Sequence, residues 1–395
     1  MVDGSFRVKV VEEDEKTFYV HKQIKLSGKK VETPVKAVNP FAFREDVPLA
    51  HREFIAEVYK VISVDTLKRL TNGDHEFQRE FNKKIRNALS NVPPDRMPVI
   101  MAPTLRVDNV TELASLTDRQ IEFLVLTQNV FDFYTVPTVE RIHLKVVNPS
   151  DVEHYIEFVT KYLEIVEEQK LKKPVIGTVP VTLPHVVIPQ LIETYLRRGI
   201  RAFALDFSGR VPFSHYQQMG FIQNLLHKAG VDAFIHAVNV NPGKPSRKGP
   251  SILSQDVLSV GFGLDAVGDN HVAFGTVGGA GIRDNLRIFS KDEYAYHRIE
   301  PSKLFKIYPE DSALPIEVLT QERNALLRKN AQRLFNYEQF GIETVRIREK
   351  IDSGEITDYV SKKPFVRKYH DKFKLLINIK GNKSRQSTLD ILKEL

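Results

Sequence analysis

The sequence predicts an α/β fold, a (β/α)8 TIM barrel with an N-terminal hairpin and a C-terminal helical, basic extension. Two observations predict it. Eight short apolar runs follow one another down the chain, most of them ending in polar or turn-forming residues. Strands alternating with helices at this spacing form a parallel sheet, and a barrel carries its chemistry at the strands' C-terminal ends. The length of 395 residues then suits one large barrel plus a smaller appendage. The divisions expected are a hairpin over 1–30, a barrel over 31–310 and a helical region over 311–395.

The hairpin rests on the alternation of Phe6, Val8 and Val10, then Thr17-Phe18-Tyr19-Val20, and it could plug the barrel bottom. Strand one is expected at Val31 to Val38, ending at Asn39-Pro40. A helical region over Pro48 to Asn91 follows, closed by Pro93-Pro94. Strand two is read at Val99 to Ala102, followed by a short helix capped by Thr111 or Ser115. Strand three is read at Phe123 to Leu126 and strand four at Ile142 to Val147, before a long amphipathic helix. Strands five to eight fall at Val175–Val179, Ala202–Asp206, Ala233–Val238 and Leu264–Val267. Their spacing is that of βα units, and closure requires the first and last strands to be hydrogen-bonded neighbours. A basic loop runs from Asn241 to Pro250, and a Gly-rich one from Gly275 to Gly281. Helices are expected over Val318–Asn336 and Gly341–Asp352.

Composition narrows the function classes. An apolar share of 42% with 27% charged residues describes an ordinary globule rather than a disordered chain. No apolar stretch reaches the roughly 20 residues of a membrane span, and the acidic start (Glu12 to Glu15) is unlike a signal peptide, so the expected location is cytoplasmic. The absence of cysteine excludes disulfides and thiolate metal sites. No histidine pair has metal-ligand spacing, so neither metal nor cofactor is expected. From Gln321 to Leu395 there are seventeen basic and ten acidic residues, so this stretch carries the whole net charge of +7. Such a surface can follow a phosphate backbone, or can simply be a solvated helical face.

Several motifs resemble one enzyme family. Gly28-Lys29-Lys30-Val31-Glu32-Thr33-Pro34-Val35 is similar to the opening strand of the tRNA-guanine transglycosylases, especially the archaeal branch. Pro174 to Val179 is similar to the family's fifth strand, Leu253 to Asp269 to its last helix and strand, and Leu327 to Tyr359 to its closing helices. The resemblance implies exchange of guanine in a nucleic acid, DNA or tRNA, for a 7-deazaguanine-type base. An Asp attacks C1′ as a covalent nucleophile. Asp269 is the nearest match to that Asp, one residue out of register because Gly268 is inserted, and Asp265 matches a structural Asp.

The departures from the family pattern are as informative. Its acid/base Asp-Ser-Gly becomes Gln128-Asn129-Val130, and its base-reading Asp falls at Lys145. The stretch matching its zinc site, Tyr294 to Arg298, offers only His297 as a good ligand. These changes, with no room for the family's RNA-binding module, fit a DNA-directed transglycosylase of the phage or genomic-island type. Asp206 and Asp269 are therefore the catalytic candidates. Gln128, Asn129, Lys145, Asn270 and His271 are candidates for binding the base, and Lys244, Arg247, Lys248, Arg283 and Arg287 for contacting nucleic acid. Plainer roles stay open: a helix cap for Asp206, a loop hydrogen-bonder for Asp269, a packing histidine for His271. Two other readings also stand: a catalytically silent relative that binds nucleic acid or a partner subunit, and an unrelated barrel enzyme using Gly275 to Gly281 on a phosphorylated ligand. A homodimer is left open.

Overall fold

Alternating apolar residues build the first sheet, in which β1 (Phe6–Glu13), β2 (Val20–Leu26) and β3 (Lys29–Thr33) pair antiparallel in that order. The computed structural model describes residues 6–43, 47–93, 95–170, 172–243, 250–272, 285–321 and 324–381. Pro34 separates β3 from β4 (Val35–Val38), where the chain enters a second, wholly parallel sheet. Its other members are β5 (Phe54–Ser63), β6 (Val99–Arg106), β7 (Tyr134–Thr135), β8 (Thr138–Val139), β9 (Val175–Pro180), β10 (Ala202–Asp206) and β11 (Phe234–Val238). After a short strand elsewhere, β12 (Ser251–Leu253), the sheet is completed by β13 (Ala266–Val267). The order of its nine strands is β7-β9-β10-β11-β13-β4-β5-β6-β8.

The second half of the expected first strand is a neighbour of the expected last one, with Ala266 paired to Val35 and Val267 to Lys36, whereas Val31 to Thr33 belongs to the first sheet. The two edge strands, β7 and β8, lie only two residues apart in the chain. Their common segment bonds to both sides, with Val136 N donating to Ile176 O at 3.0 Å and Glu140 N to Leu105 O at 2.9 Å. The sheet curls around an inner core in which Val35, Ile55, Ile100, Ile176, Ala202 and Phe234 share one cluster. Phe6, Ile24 and Leu26 of the first sheet join it from the end where the strands begin, so the N-terminal strands do plug the bottom. Residues of the opposite parity, such as Ala56, Val58, Phe203, Leu205 and Ile235, pack outward under the helices. Burial on both faces explains why β10 and β11 read as largely apolar runs.

Four expectations are corrected. Residues 54–63, expected to be helical, form the long strand β5, ahead of helices Val64–Thr71 and His75–Leu89, so Val99–Ala102 belongs to the third strand. Phe123 to Leu126 ends the helix Asp118–Leu126 instead of forming a strand. Thr117 and Gln120 close a capping box at its start, which favours helix over strand there. Ile142 to Val147 holds a 3-10 turn, Ile142–Leu144, entered from left-handed Arg141, and the strand pairing occurs earlier in β7 and β8. Pro137 lacks the N–H a ladder needs and splits that pairing into two short pieces. At the C-terminus, one helix runs unbroken over Ala325–Asp352 in place of the two expected.

The third sheet, ordered β12-β15-β14, adds β14 (Leu286–Ser290) and β15 (Ala295–Ile299), all antiparallel. Helix Ala325–Asp352 lies across β14 and β4 and is pinned where Arg348 donates to Pro34 O at 2.9 Å. No described helix is long and apolar enough to cross a membrane.

Candidate active site at the carboxyl rim of the parallel sheet

Alternation along β5 turns Ile55 into the inner core and carries Glu57 and Tyr59 inward above it. Glu57 is 1% exposed and sits between two imidazoles. Its Oε1 lies 2.5 Å from His271 Nε2, and its Oε2 lies 2.7 Å from His236 Nε2, out of line for a hydrogen bond. His236 has room because its neighbours in register on β10 and β13 are Ala204 and Ala266. Gly268 gives the rest of the space: a Cβ there would lie 2.5 Å from Glu57 Oε2. Glycine at position 268 thus makes room for Glu57. Burial pushes the Glu57 pKa up, but His236 and His271 outweigh it and hold the carboxyl well below its usual range. Tyr59 stacks on His271, with ring centroids 4.5 Å apart and planes 5° from parallel.

Asp206 ends β10 at the same rim. Its Oδ1 accepts from Ser208 N at 2.9 Å and from Asn239 Nδ2 at 2.8 Å, and its Oδ2 from Ser208 Oγ at 3.1 Å. Ser208 and Asn239 both hold left-handed backbone, with φ of 49° and 56°. That conformation costs about 1 kcal/mol for a residue with a Cβ and needs support from its surroundings. Burial raises the Asp206 pKa against these hydrogen bonds, and the charge of Glu57 adds to the rise. Asn239 Oδ1 in turn accepts from His271 N at 3.4 Å, so Asp206 and Glu57 belong to one network.

Asp269 faces a different environment. Lys36 Nζ lies 2.7 Å from its Oδ1 and also donates to Val267 O at 2.9 Å, while the Tyr337 hydroxyl donates to Oδ2. Lys36 points away from the inner core toward the rings of Tyr337 and Phe340 on the long helix, 5.5 and 5.6 Å away. A quarter of the Asp269 side chain remains exposed. Burial raises its pKa, but Lys36, His271 and Tyr337 together carry it below the ordinary value. Asp265 is wholly buried among Lys22 Nζ, Thr33 Oγ1 and Ile235 N, at 2.8, 2.9 and 2.8 Å, which is a structural role.

The other sequence candidates divide. His271 joins the network and is more than packing, whereas Asn270 accepts from Val272 N in its own turn. Gln128 and Asn129 precede β7, at the opposite end from the rim. Gln128 is buried against Tyr162 and Thr135, and Asn129 accepts from Tyr134 OH, so both brace the fold. Lys145 reaches back to Val107 O at 2.5 Å, and burial lowers its pKa. Arg287 donates to Gly243 O and lies 4.6 Å over the Tyr296 ring. Lys244, Arg247, Lys248, Arg283 and the loop 275–281 lie outside the described residues. His297 is taken by Ser251 and Glu293, and no group of three His, Asp or Glu among the described residues is placed to hold a metal ion.

Sequence reasoning did not single out Glu57, Tyr59, His236, Asn239, Lys36 or Tyr337. The one available signal was phase: His236 falls between Phe234 and Val238, on the inward parity of an apolar strand. No model of a known protein family matches this chain, and no curated protein does either.

Proposed function

We propose that the parallel sheet is a closed eight-stranded barrel, with β7 and β8 as two halves of its fourth strand, and that the protein is a base-exchange transglycosylase acting on nucleic acid. The lacing of residues 132–140 to both β6 and β9 supports the closure. One observation carries the activity: two rim carboxyls have their acidities driven apart, Asp269 downward and Asp206 upward. Divergent carboxyls are how one site provides a charged group and a proton donor at the same pH. Asp269, ionised and partly exposed, is the nucleophile. Its oxygen bonds to C1′ as the C1′–N9 bond breaks, and the departing guanine takes the proton of Asp206. The incoming 7-deazaguanine-type base returns a proton to Asp206 and attacks C1′, releasing Asp269. His271, oriented by Glu57, near Asp269 and linked to Asp206 through Asn239, positions them.

Incorporation of labelled guanine into DNA and tRNA tests this. Asp269→Asn should lower exchange by several orders of magnitude, as loss of a covalent nucleophile does. Asp206→Asn should lower it by roughly 10²–10⁴-fold. Full activity in Asp269→Asn overturns the assignment. The clamp of Lys36 and Tyr337 on Asp269 favours a second reading, a catalytically silent nucleic-acid binder, and absence of exchange in the wild type with any guanine-like base selects it.

A further inference from the structure

We propose that the rim above β8, β9 and β10 carries a phosphate-binding pocket, a site that does not depend on the base-exchange reading. The loops after these three strands hold His143, Thr182, and the pair Arg210 and His215. His215 is 6% exposed, and among the described residues neither of its ring nitrogens has a hydrogen-bond partner. His143 Nδ1, Thr182 Oγ1 and the hydroxyl of Tyr155 are likewise buried and unpartnered. Tyr155 lies on the helix Pro149–Glu168 and is close enough to Asp206 for that carboxyl to act on it. An unmade buried hydrogen bond is costly, and native structures rarely leave one without a reason. Four such residues in one sector of a sheet's carboxyl rim, where α/β sheets receive their ligands, point to an occupant.

The chemistry of the group sets what the occupant is. Imidazole N–H, hydroxyl and guanidinium groups all donate, and the Asp206 oxygens are already taken by Ser208 and Asn239. The Arg210 side chain is exposed at the pocket's edge and has no ion-pair partner among the described residues. Burial lowers the His215 pKa to about 4, with Arg210 and His143 adding to the fall, and the same guanidinium depresses His143. The three groups therefore lie near enough to act on one another, and none supplies a counter-charge. An oxyanion accepts at once from one N–H of each neutral imidazole, from the hydroxyls and from the guanidinium. Leu144, Val147 and Val186, exposed on two of the same loops, offer apolar contact to whatever bears the phosphate.

Calorimetric titration of the full chain in low-salt buffer tests the proposal with three probes. These are inorganic phosphate, a nucleoside 5′-monophosphate, and a single-stranded oligonucleotide without terminal phosphates. Binding of the first two alone assigns the pocket to a small phosphorylated ligand. Binding of the oligonucleotide, displaced by inorganic phosphate, assigns it to a backbone phosphate. In either case Arg210→Gln and His143→Asn should each weaken binding by at least about tenfold, with melting temperature unchanged. The proposal is overturned if no probe binds, or if binding is indifferent to both substitutions. Since no exchange is measured, failure here leaves the base-exchange reading standing, and the reverse also holds.

Discussion

Glu57 stays ionised inside the sheet because His236 and His271 sit against its two oxygens, and this sets a pH dependence. A carboxyl whose folded pKa lies below its free value of 4.5 contributes stability that is fully present above that pH. The contribution is lost as pH falls through the folded value. Glu57→Gln should therefore destabilise the protein by about 3 kcal/mol at pH 7, the scale for breaking a buried ion pair. The gap to wild type should narrow as pH drops below 4.5. Denaturant unfolding at several pH values reads this directly, and parallel profiles for the two proteins would remove the charge argument. Asp206 has the opposite sign. Its raised pKa makes the folded state bind the proton more tightly, so ionising it above the free value of 3.8 costs stability. Asp206→Asn is thus a substitution that can lose activity without losing stability.

At the scale of elements, the long helix Ala325–Asp352 packs tightly on the loop ahead of β5 at Gly341, where a Cβ would lie 2.1 Å from the His51 ring. Gly341→Ala must push helix or ring aside, which should cost about 1–3 kcal/mol and lower the melting temperature accordingly. Tyr337 stands one turn earlier on the same helix and holds Asp269, so the shift should also loosen that contact. An unchanged melting temperature would show that His51 rotates away freely. The same helix illustrates what the sequence could and could not reveal. Gly341 reads as a break in a helical pattern, whereas its role is close packing against a residue far away in the chain. Strands β9, β10, β11 and β13 were legible because both faces are apolar. β5 was not, since Glu57 and Lys60 give it the charge pattern of a helix surface, and only the histidines of β11 and the rim explain a buried Glu. Asp206, Asp269 and His271 were legible as strand-end polar residues. Their partners were not, because Glu57, Asn239 and Tyr337 are brought to them by tertiary structure.

For the whole molecule, the net charge of +7 is an electrostatic property that no single contact carries. If the partner is a nucleic acid, its affinity should fall linearly on a logarithmic salt scale, with a slope near −0.9 per neutralised phosphate in a duplex. Binding measured between 50 and 200 mM salt (about a fourfold range) should then weaken by orders of magnitude if six or more phosphates are engaged. A flat response would assign the basic surface to solvation alone. Arg210→Gln should reduce the slope by about one if the rim pocket holds a backbone phosphate.

The pairing of β4 with β13 also has a consequence in time. Lys36 and its acceptor Val267 are 231 residues apart, and Lys22 reaches Asp265 across 243. At a synthesis rate of roughly 5–20 residues per second, the opening strands wait on the order of 10–50 s for the partner that covers them. During that wait β4, wholly buried in the finished fold, shows the ribosome's surroundings an unpaired edge. A nascent chain arrested before Gly263 should therefore be sensitive to protease and bound by chaperones, and release of about twenty further residues should protect it.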